Sequence, residues 1–133
     1  MTFVDSNYWL RYLIDEDSRQ GHLAHQLLLD AASGKVELAS SLVVFFEIYW
    51  VLHSFYHRNQ AELQSLLMSV LDIDCIFWDD KDLLRQAVSH MDEFGYDLED
   101  AYNLVWAKDQ DCDDLASFDA KLQKKWRMMD RRV

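Results

Sequence analysis

The hydrophobic residues of this chain follow two different spacings, one typical of short strands and one typical of helices. Residues 2–4 (Thr-Phe-Val) and 36–40 (Val-Glu-Leu-Ala-Ser) favour strands, and the second run alternates apolar and polar side chains. Residues 73–78 and 115–118 are two further short apolar runs. Elsewhere apolar residues recur at intervals of three and four, which is the spacing of one helix face. The pattern therefore predicts four strands separated by helices.

The helical spacing places two helices between each pair of successive strands. The predicted helices lie within residues 8–17, 18–33, 42–56, 59–71, 81–94 and 98–108, and the chain after residue 119 favours a last helix. The order of elements is then β-α-α-β-α-α-β-α-α-β-α. Helical connections between strands imply a parallel sheet with helices on both faces. We therefore predict an α/β fold and, at 133 residues, a single domain spanning residues 1–133.

Composition supports an ordered, helix-rich protein and excludes several other classes. Half of the residues are hydrophobic, and the chain has three glycines and no proline. No apolar run approaches the roughly 20 residues that a membrane-spanning helix needs, and the N-terminus shows no signal-like segment. We expect a cytoplasmic protein. Cys75 and Cys112 match no metal or redox spacing, so we expect buried free thiols.

The net charge is strongly negative but unevenly distributed. The chain carries −11 overall, which argues against a general nucleic-acid binder because an acidic surface repels phosphate. Residues 121–133 nevertheless contain six Lys or Arg residues and one Asp, so this tail carries +5 and the rest −16. The tail could bind a polyanion, or it could be a solvated terminal helix. Trp126 fits either interpretation, as a base-stacking residue or as the anchor of that helix.

A single carboxylate interrupts the most apolar helix of the chain. Residues 42–56 are apolar on nearly every side, which is typical of a helix that is buried or lies at an interface, and Glu47 stands in the middle. A buried ionised Glu is costly unless it is paired or bound to a metal. It could instead point outward, or pair with Arg11 or Arg58. We favour a functional role, and we expect the aromatic residues around it to form a protein interface: Phe45, Phe46, Tyr49, Trp50, Phe55 and Tyr56.

Four acids occupy comparable positions around the predicted sheet. Asp5 follows the first strand, Asp119 follows the fourth, and Glu47 and Asp100 lie in helices that return to the same edge. In parallel sheets this edge is where ligands bind, although Asp5 could simply cap a helix. Close carboxylates repel one another and raise one another's pKa values, and a divalent cation relieves that repulsion. Mg²⁺ and Mn²⁺ prefer oxygen ligands, and such an ion can activate water for attack on a phosphodiester.

These residues carry a resemblance to the PIN-domain family that covers essentially the whole chain. Residues 4–7 (Val-Asp-Ser-Asn) with 10–13 resemble the first motif, and Ser41 with residues 46–48 (Phe-Glu-Ile) resembles the second. Residues 97–101 and 115–119 resemble the third and fourth. The overall pattern is similar to the short PIN proteins that act as VapC-type toxins. The family often continues into a fifth strand, whereas here the last segment is short and favours a helix.

The resemblance implies a fold, an activity and partners. The fold would be a three-layer sandwich around a parallel sheet of strand order 3-2-1-4. The activity would be that of a Mg²⁺- or Mn²⁺-dependent endoribonuclease, with a homodimeric state and a small antitoxin protein that neutralises it. The implied roles are metal binding by Asp5, Glu47, Asp100 and Asp119, support by Asn7 and Ser117, and an extra acid at Asp97.

Two other functions stay open from the sequence. A PIN-like protein could bind RNA or protein without catalysis, although the presence of all four acids argues against it. A receiver-like or phosphatase-like domain could use Asp5 as a phosphoacceptor. That class is disfavoured, because Asn7 stands where a phosphatase of this kind has a second Asp and no partnering Lys is evident.

Overall fold

A computed structural model describes residues 1–130 and shows a small parallel sheet flanked by helices. The strands are β1 (Thr2–Phe3), β2 (Leu38–Ser40) and β3 (Ile76–Trp78), and they lie in the order β1-β2-β3. Both strand pairs are parallel, with Phe3 opposite Ala39 and Ala39 opposite Phe77. The predicted parallel α/β arrangement is therefore present, and β2 is the central strand.

Seven α-helices surround this sheet in the described part of the chain. They are α1 (Ser6–Ile14), α2 (Arg19–Ala32), α3 (Leu42–Ser54), α4 (Gln60–Leu71), α5 (Lys81–His90), α6 (Leu98–Asp109) and α7 (Ala120–Asp130), and a 3-10 helix (Met91–Phe94) extends α5. Side-chain caps fix several starts: Ser18 accepts from the Gly21 amide at 2.9 Å and Ser41 from the Val44 amide at 3.2 Å. No helix in residues 1–130 is long and apolar enough to cross a membrane.

The predicted fourth strand at residues 115–118 does not form, which corrects the expected order 3-2-1-4. The Leu115 amide donates to the Asp114 side chain at 2.8 Å, and Phe118 is wholly exposed. Gln123 Nε2 of α7 donates to the carbonyls of Leu115 at 2.7 Å and Ser117 at 3.1 Å. These bonds use backbone groups that a strand would pair with β1. The order is confirmed for three strands only, and β1 is an edge strand within residues 1–130.

The two faces of the sheet are covered differently. On one face Leu38, Ser40 and Trp78 are buried, and the Trp78 ring stacks on Trp9 of α1 at 5.6 Å between centroids. On the other face Phe3 is 58% exposed and Phe77 is 59% exposed. Since side chains alternate between the faces of a strand, the apolar core lies on the Trp78 side. A three-layer sandwich has helices on both faces of the sheet. Here the face that carries Phe3 and Phe77 is uncovered at these two residues.

Helix α3 is half buried, whereas its sequence favours burial on nearly every side. Its inner face contributes Val44, Phe45, Ile48, Tyr49 and Leu52 to the core. The opposite face exposes Val43, Trp50 and, at the C-cap, Phe55. The two cysteines are free as expected, but Cys112 is exposed and Cys75 half-buried, so the predicted burial is wrong for Cys112.

Candidate functional site

The acids at the start of α6 form the most concentrated negative charge near the predicted site. Asp97 is the N-cap residue, and its Oδ1 accepts a hydrogen bond from the Asp100 amide at 3.0 Å. Burial raises the pKa of Asp100, and the negative charges of Asp97 and Asp119 raise it further. Asp97 and Asp119 therefore both lie within electrostatic reach of Asp100.

Asp119 is held in place by the beginning of α7. Its Oδ1 accepts from the amides of Lys121 at 2.9 Å and Leu122 at 3.1 Å, which is the geometry of an N-cap. Its own amide donates to Ser117 Oγ at 3.0 Å. Ser117 therefore holds the backbone of Asp119 by a hydrogen bond, and its supporting role in the site stays a prediction. The carboxylates of Asp119 and Asp100 line the same cavity, whose volume is about 450 Å³.

Glu47 is exposed, not buried, and its observed partner is a serine. Ser6 Oγ donates to Glu47 Oε2 at 3.0 Å, and Ser6 is only 7% exposed. Arg11 and Arg58 form ion pairs with Asp15 and Glu62, so the predicted alternative pairing of Glu47 with an arginine is not observed in residues 1–130. Ser6 links the first turn of α1 to the middle of α3, a role that the sequence pattern did not indicate.

Asn7, for which a supporting role is predicted, lies next to Ser6 at the start of α1. Asn7 is exposed and lines a groove with Tyr8 and Arg11, apart from the cavity of Asp100 and Asp119. Asn7 and Ser6 are adjacent in sequence and thus point in different directions on a helix.

Asp5 stands at the N-cap position of α1 without using its side chain as a cap. Its carbonyl accepts from the amides of Tyr8 at 3.2 Å and Trp9 at 3.4 Å, and its carboxylate makes no capping hydrogen bond. The side chain is exposed. The alternative that Asp5 merely caps the helix is therefore not supported, and its carboxylate is accessible to a ligand.

Glu99 is a further acid at this place that the sequence motifs did not single out. Burial raises its pKa, the charges of Asp97 and Asp100 raise it further, and His53 opposes the shift. Tyr49 of α3 donates from its hydroxyl to the Tyr96 carbonyl at 2.9 Å. The pKa of Tyr49 is raised by burial and by the same acids. The charges of Asp97, Glu99 and Asp100 thus interact at the start of α6, where the amide dipoles partly offset the negative charge.

The chemistry of these side chains suits a hard divalent cation, but the four predicted ligands do not form one group in the structure. Carboxylate and hydroxyl oxygens are the donors that Mg²⁺ and Mn²⁺ prefer. Over residues 1–130, however, no three His, Cys, Asp or Glu side chains are close enough together to hold a metal ion. Asp100 and Asp119 share a cavity, whereas Glu47 pairs with Ser6 and Asp5 follows β1. Mutual repulsion opposes closer approach of these acids.

A sequence model of the PIN domain matches residues 2–126. The chain belongs to the PIN-domain family. The match runs from β1 into α7, so the family resemblance expected from the four motifs is confirmed over nearly the whole chain. PIN domains are generally nucleases. The match therefore gives this chain a nuclease-type fold and, at a coarse level, supports a hydrolase. A search of curated proteins and a search of solved structures each found no match.

Proposed function

We propose that this PIN-domain protein is a divalent-metal-dependent endoribonuclease, and that it is the toxin of a toxin–antitoxin pair. The observation that carries the nuclease proposal is the shared cavity of Asp100 and Asp119, where burial and then the neighbouring negative charges raise the pKa of Asp100. A site of this kind favours a bound cation, and a cation lets a phosphate approach an otherwise repulsive acidic surface.

The proposed roles follow from where each side chain is held. Asp5, Glu47, Asp100 and Asp119 would bind Mg²⁺ or Mn²⁺, which when bound supplies charge neutralisation and an acidified water. Among the supporting residues, Ser6 fixes one oxygen of Glu47 and Ser117 fixes the backbone of Asp119. Asp97 orients the first turn of α6 through the Asp100 amide and is the reserve acid.

The toxin assignment and the partners are proposals drawn from the VapC-type resemblance. They comprise an RNA substrate, a small antitoxin protein and a homodimer. Exposed apolar residues on α3 support an interface, because Val43 is 72% exposed, Trp50 59% and Phe55, at the C-cap, 71%, and the exposed Glu47 lies between Val43 and Trp50. Neighbouring exposed apolar side chains are typical of surfaces that meet another protein. Chromatography with light scattering would measure the oligomer, and Trp50→Lys would be expected to dissociate a dimer built on this face.

The decisive experiment is cleavage of total RNA with and without metal. We expect cleavage in Mg²⁺ or Mn²⁺, none in EDTA, and a loss of at least about 100-fold in Asp100→Asn, since one missing metal ligand removes transition-state stabilisation worth several kcal/mol. Asp109→Asn is the matched control, because Asp109 is an exposed acid at the other end of α6. Cleavage that survives EDTA, or full activity in both Asp100→Asn and Asp5→Asn, would contradict the proposal.

The alternative function is a PIN-like module that binds RNA or protein without cutting it. The observation that favours it is that no three acids of residues 1–130 converge into a ligand set. This alternative predicts that the wild-type protein binds RNA but shows no turnover in either metal. Turnover that depends on Asp100 would exclude it.

A further inference from the structure

Helix α7 is anchored to the body of the protein by one aromatic side chain. Trp126 is 3% exposed, and Lys108 Nζ of α6 lies 3.6 Å from the centroid of its ring. A cation at this distance from an indole contributes on the order of 0.5–1 kcal/mol, in addition to the burial of the ring. Trp126 is thus a docking residue and not an exposed stacking platform. The position of α7 relative to α6 is fixed by this contact.

The opposite side of α7 presents cations to the cavity of the acids. Lys121, Lys124 and Lys125 line it, and Met128 continues the row. These positions are spaced i, i+3, i+4 and i+7, so they share one helix face. Asp100 and Asp119 line the same cavity of about 450 Å³. The cavity lining therefore combines three acidic residues, Glu93, Asp100 and Asp119, with the three lysines of α7.

This arrangement of charge is suited to a polyanion that must approach an acidic centre. The chain outside residues 121–133 carries −16, so most of its surface repels phosphate. The lysines provide local attraction beside Asp100 and Asp119. The cavity also has apolar lining from Phe94, Leu122 and Met128, against which a base can lie. Its volume of about 450 Å³ is in the usual range of about 300–1,000 Å³ for small-ligand pockets.

We propose that Lys121, Lys124 and Lys125 form the strand-binding wall of this PIN domain. Their ammonium groups contact the phosphates of single-stranded RNA and hold the strand along α7, next to the carboxylates of Asp100 and Asp119. The choice of RNA as the polyanion rests on the proposed nuclease function. The wall itself rests on the shared cavity and on the docking of α7 by Trp126.

The test is equilibrium binding of a labelled single-stranded RNA oligonucleotide, measured by fluorescence anisotropy over a salt series. The background is Asp100→Asn with Mg²⁺ present, so that the RNA stays intact. The variant pair, called the cavity pair, is Lys124→Gln with Lys125→Gln, and it leaves Lys121 in the first turn of α7 unchanged. The control pair is Lys35→Gln with Arg127→Gln, which removes the same charge at positions that are exposed and outside the cavity lining.

We expect the cavity pair to weaken binding at least tenfold and to reduce the slope of log affinity against log salt by about 1.4, at roughly 0.7 for each single-strand phosphate that a lysine no longer neutralises. The control pair should change affinity less than about threefold. Circular dichroism and thermal midpoints verify that all variants are folded. Equal losses in the two pairs, or unchanged affinity in the cavity pair, would overturn the proposed wall.

The outcomes for the wall and for the nuclease are distinguishable. Wild-type protein that binds RNA through Lys124 and Lys125 but does not cleave it supports the wall and overturns the nuclease. Metal-dependent cleavage in which the cavity pair leaves both KM and kcat unchanged supports the nuclease and overturns the wall. A KM raised about tenfold with kcat nearly unchanged supports both, because the lysines then act in binding and not in the chemical step.

Discussion

Ser6 Oγ donates a 3.0 Å hydrogen bond to Glu47 Oε2 and so connects the beginning of α1 to the middle of α3. Ser6 is buried while Glu47 is exposed, so the serine holds the inner side of a carboxylate that faces solvent. Asp5 precedes Ser6 directly. A movement of α1 would therefore displace two of the proposed metal ligands at once.

Ser6→Ala is expected to reduce metal-dependent cleavage by about 10- to 100-fold, the usual effect of removing a partner that orients a metal ligand. Its free energy of unfolding should fall by only about 1 kcal/mol, as for one ordinary hydrogen bond. Ser33→Ala is the control, because Ser33 is exposed and donates to the Asp30 carbonyl. Activity assays and urea denaturation separate the two effects. Equal activity in both variants would show that Ser6 has no role in the site.

Removal of metal is expected to lower the thermal stability of the wild-type protein. A cation at 100 times its Kd stabilises a folded protein by about 2.7 kcal/mol, so Mg²⁺ should raise the melting temperature until the site is saturated. Asp119→Asn should lose most of this effect while preserving the start of α7, because Asn caps helices as well as Asp does. Differential scanning fluorimetry across a Mg²⁺ series is the measurement. An unchanged Mg²⁺ response in Asp119→Asn and Asp100→Asn would place the ion elsewhere.

Trp126→Ala is expected to weaken RNA binding without removing any charge. Loss of the buried ring should release α7 from α6, and the lysines of the strand-binding wall would then lose their fixed positions. The affinity loss should match that of the Lys124 and Lys125 pair, and hydrogen exchange over residues 120–130 should accelerate. Lys108→Gln keeps the ring and should cost at most about 1 kcal/mol. Full RNA affinity in Trp126→Ala would show that docking of α7 is not required.

The protein should lose stability in alkali partly through Tyr102. Burial raises the pKa of Tyr102 to about 12, and the nearby Asp80 charge adds to the effect. The unfolded tyrosine ionises near pKa 10. Between these values the unfolded state binds fewer protons, so the free energy of unfolding falls as pH rises from about 10 to 12. Tyr102→Phe should flatten this decline in pH-dependent urea denaturation, whereas a decline of the same slope would assign the effect to other groups.

The strand and helix pattern is predictable here because the short apolar runs are separated by clear helical spacing. The starts of α3 and α6 follow from Ser41 and Asp97, whose side chains cap locally and therefore act through nearby residues only. The failed strand at residues 115–118 depends on Gln123, whose side chain reaches the carbonyls of Leu115 and Ser117 across a turn. The pattern of hydrophobic residues in the sequence does not reveal such a side-chain interaction.

The candidate site is predictable only as a group of acids. Which acids lie near one another depends on tertiary placement: Asp97 and Asp119 each lie within electrostatic reach of Asp100, whereas Glu47 accepts a hydrogen bond from Ser6. The two interpretations of Trp126 could not be separated by sequence, because a Trp among lysines suits both. Trp126 is buried and its ring lies beside Lys108 of α6, so it docks α7 and does not offer an exposed ring for stacking.

Because β1 is a short edge strand, we expect local unfolding near the proposed site to begin at the N-terminus. Its backbone pairing to β2 includes the bonds from the Thr2 amide to Glu37 at 2.7 Å and from the Val4 amide to Ala39 at 2.8 Å, and Ser40 Oγ donates to the Val4 carbonyl at 2.6 Å. Fraying of so short a strand costs far less than global unfolding. Asp5 would detach with it while the core stays folded. We therefore expect the proposed nuclease activity to fall on warming before the helices unfold.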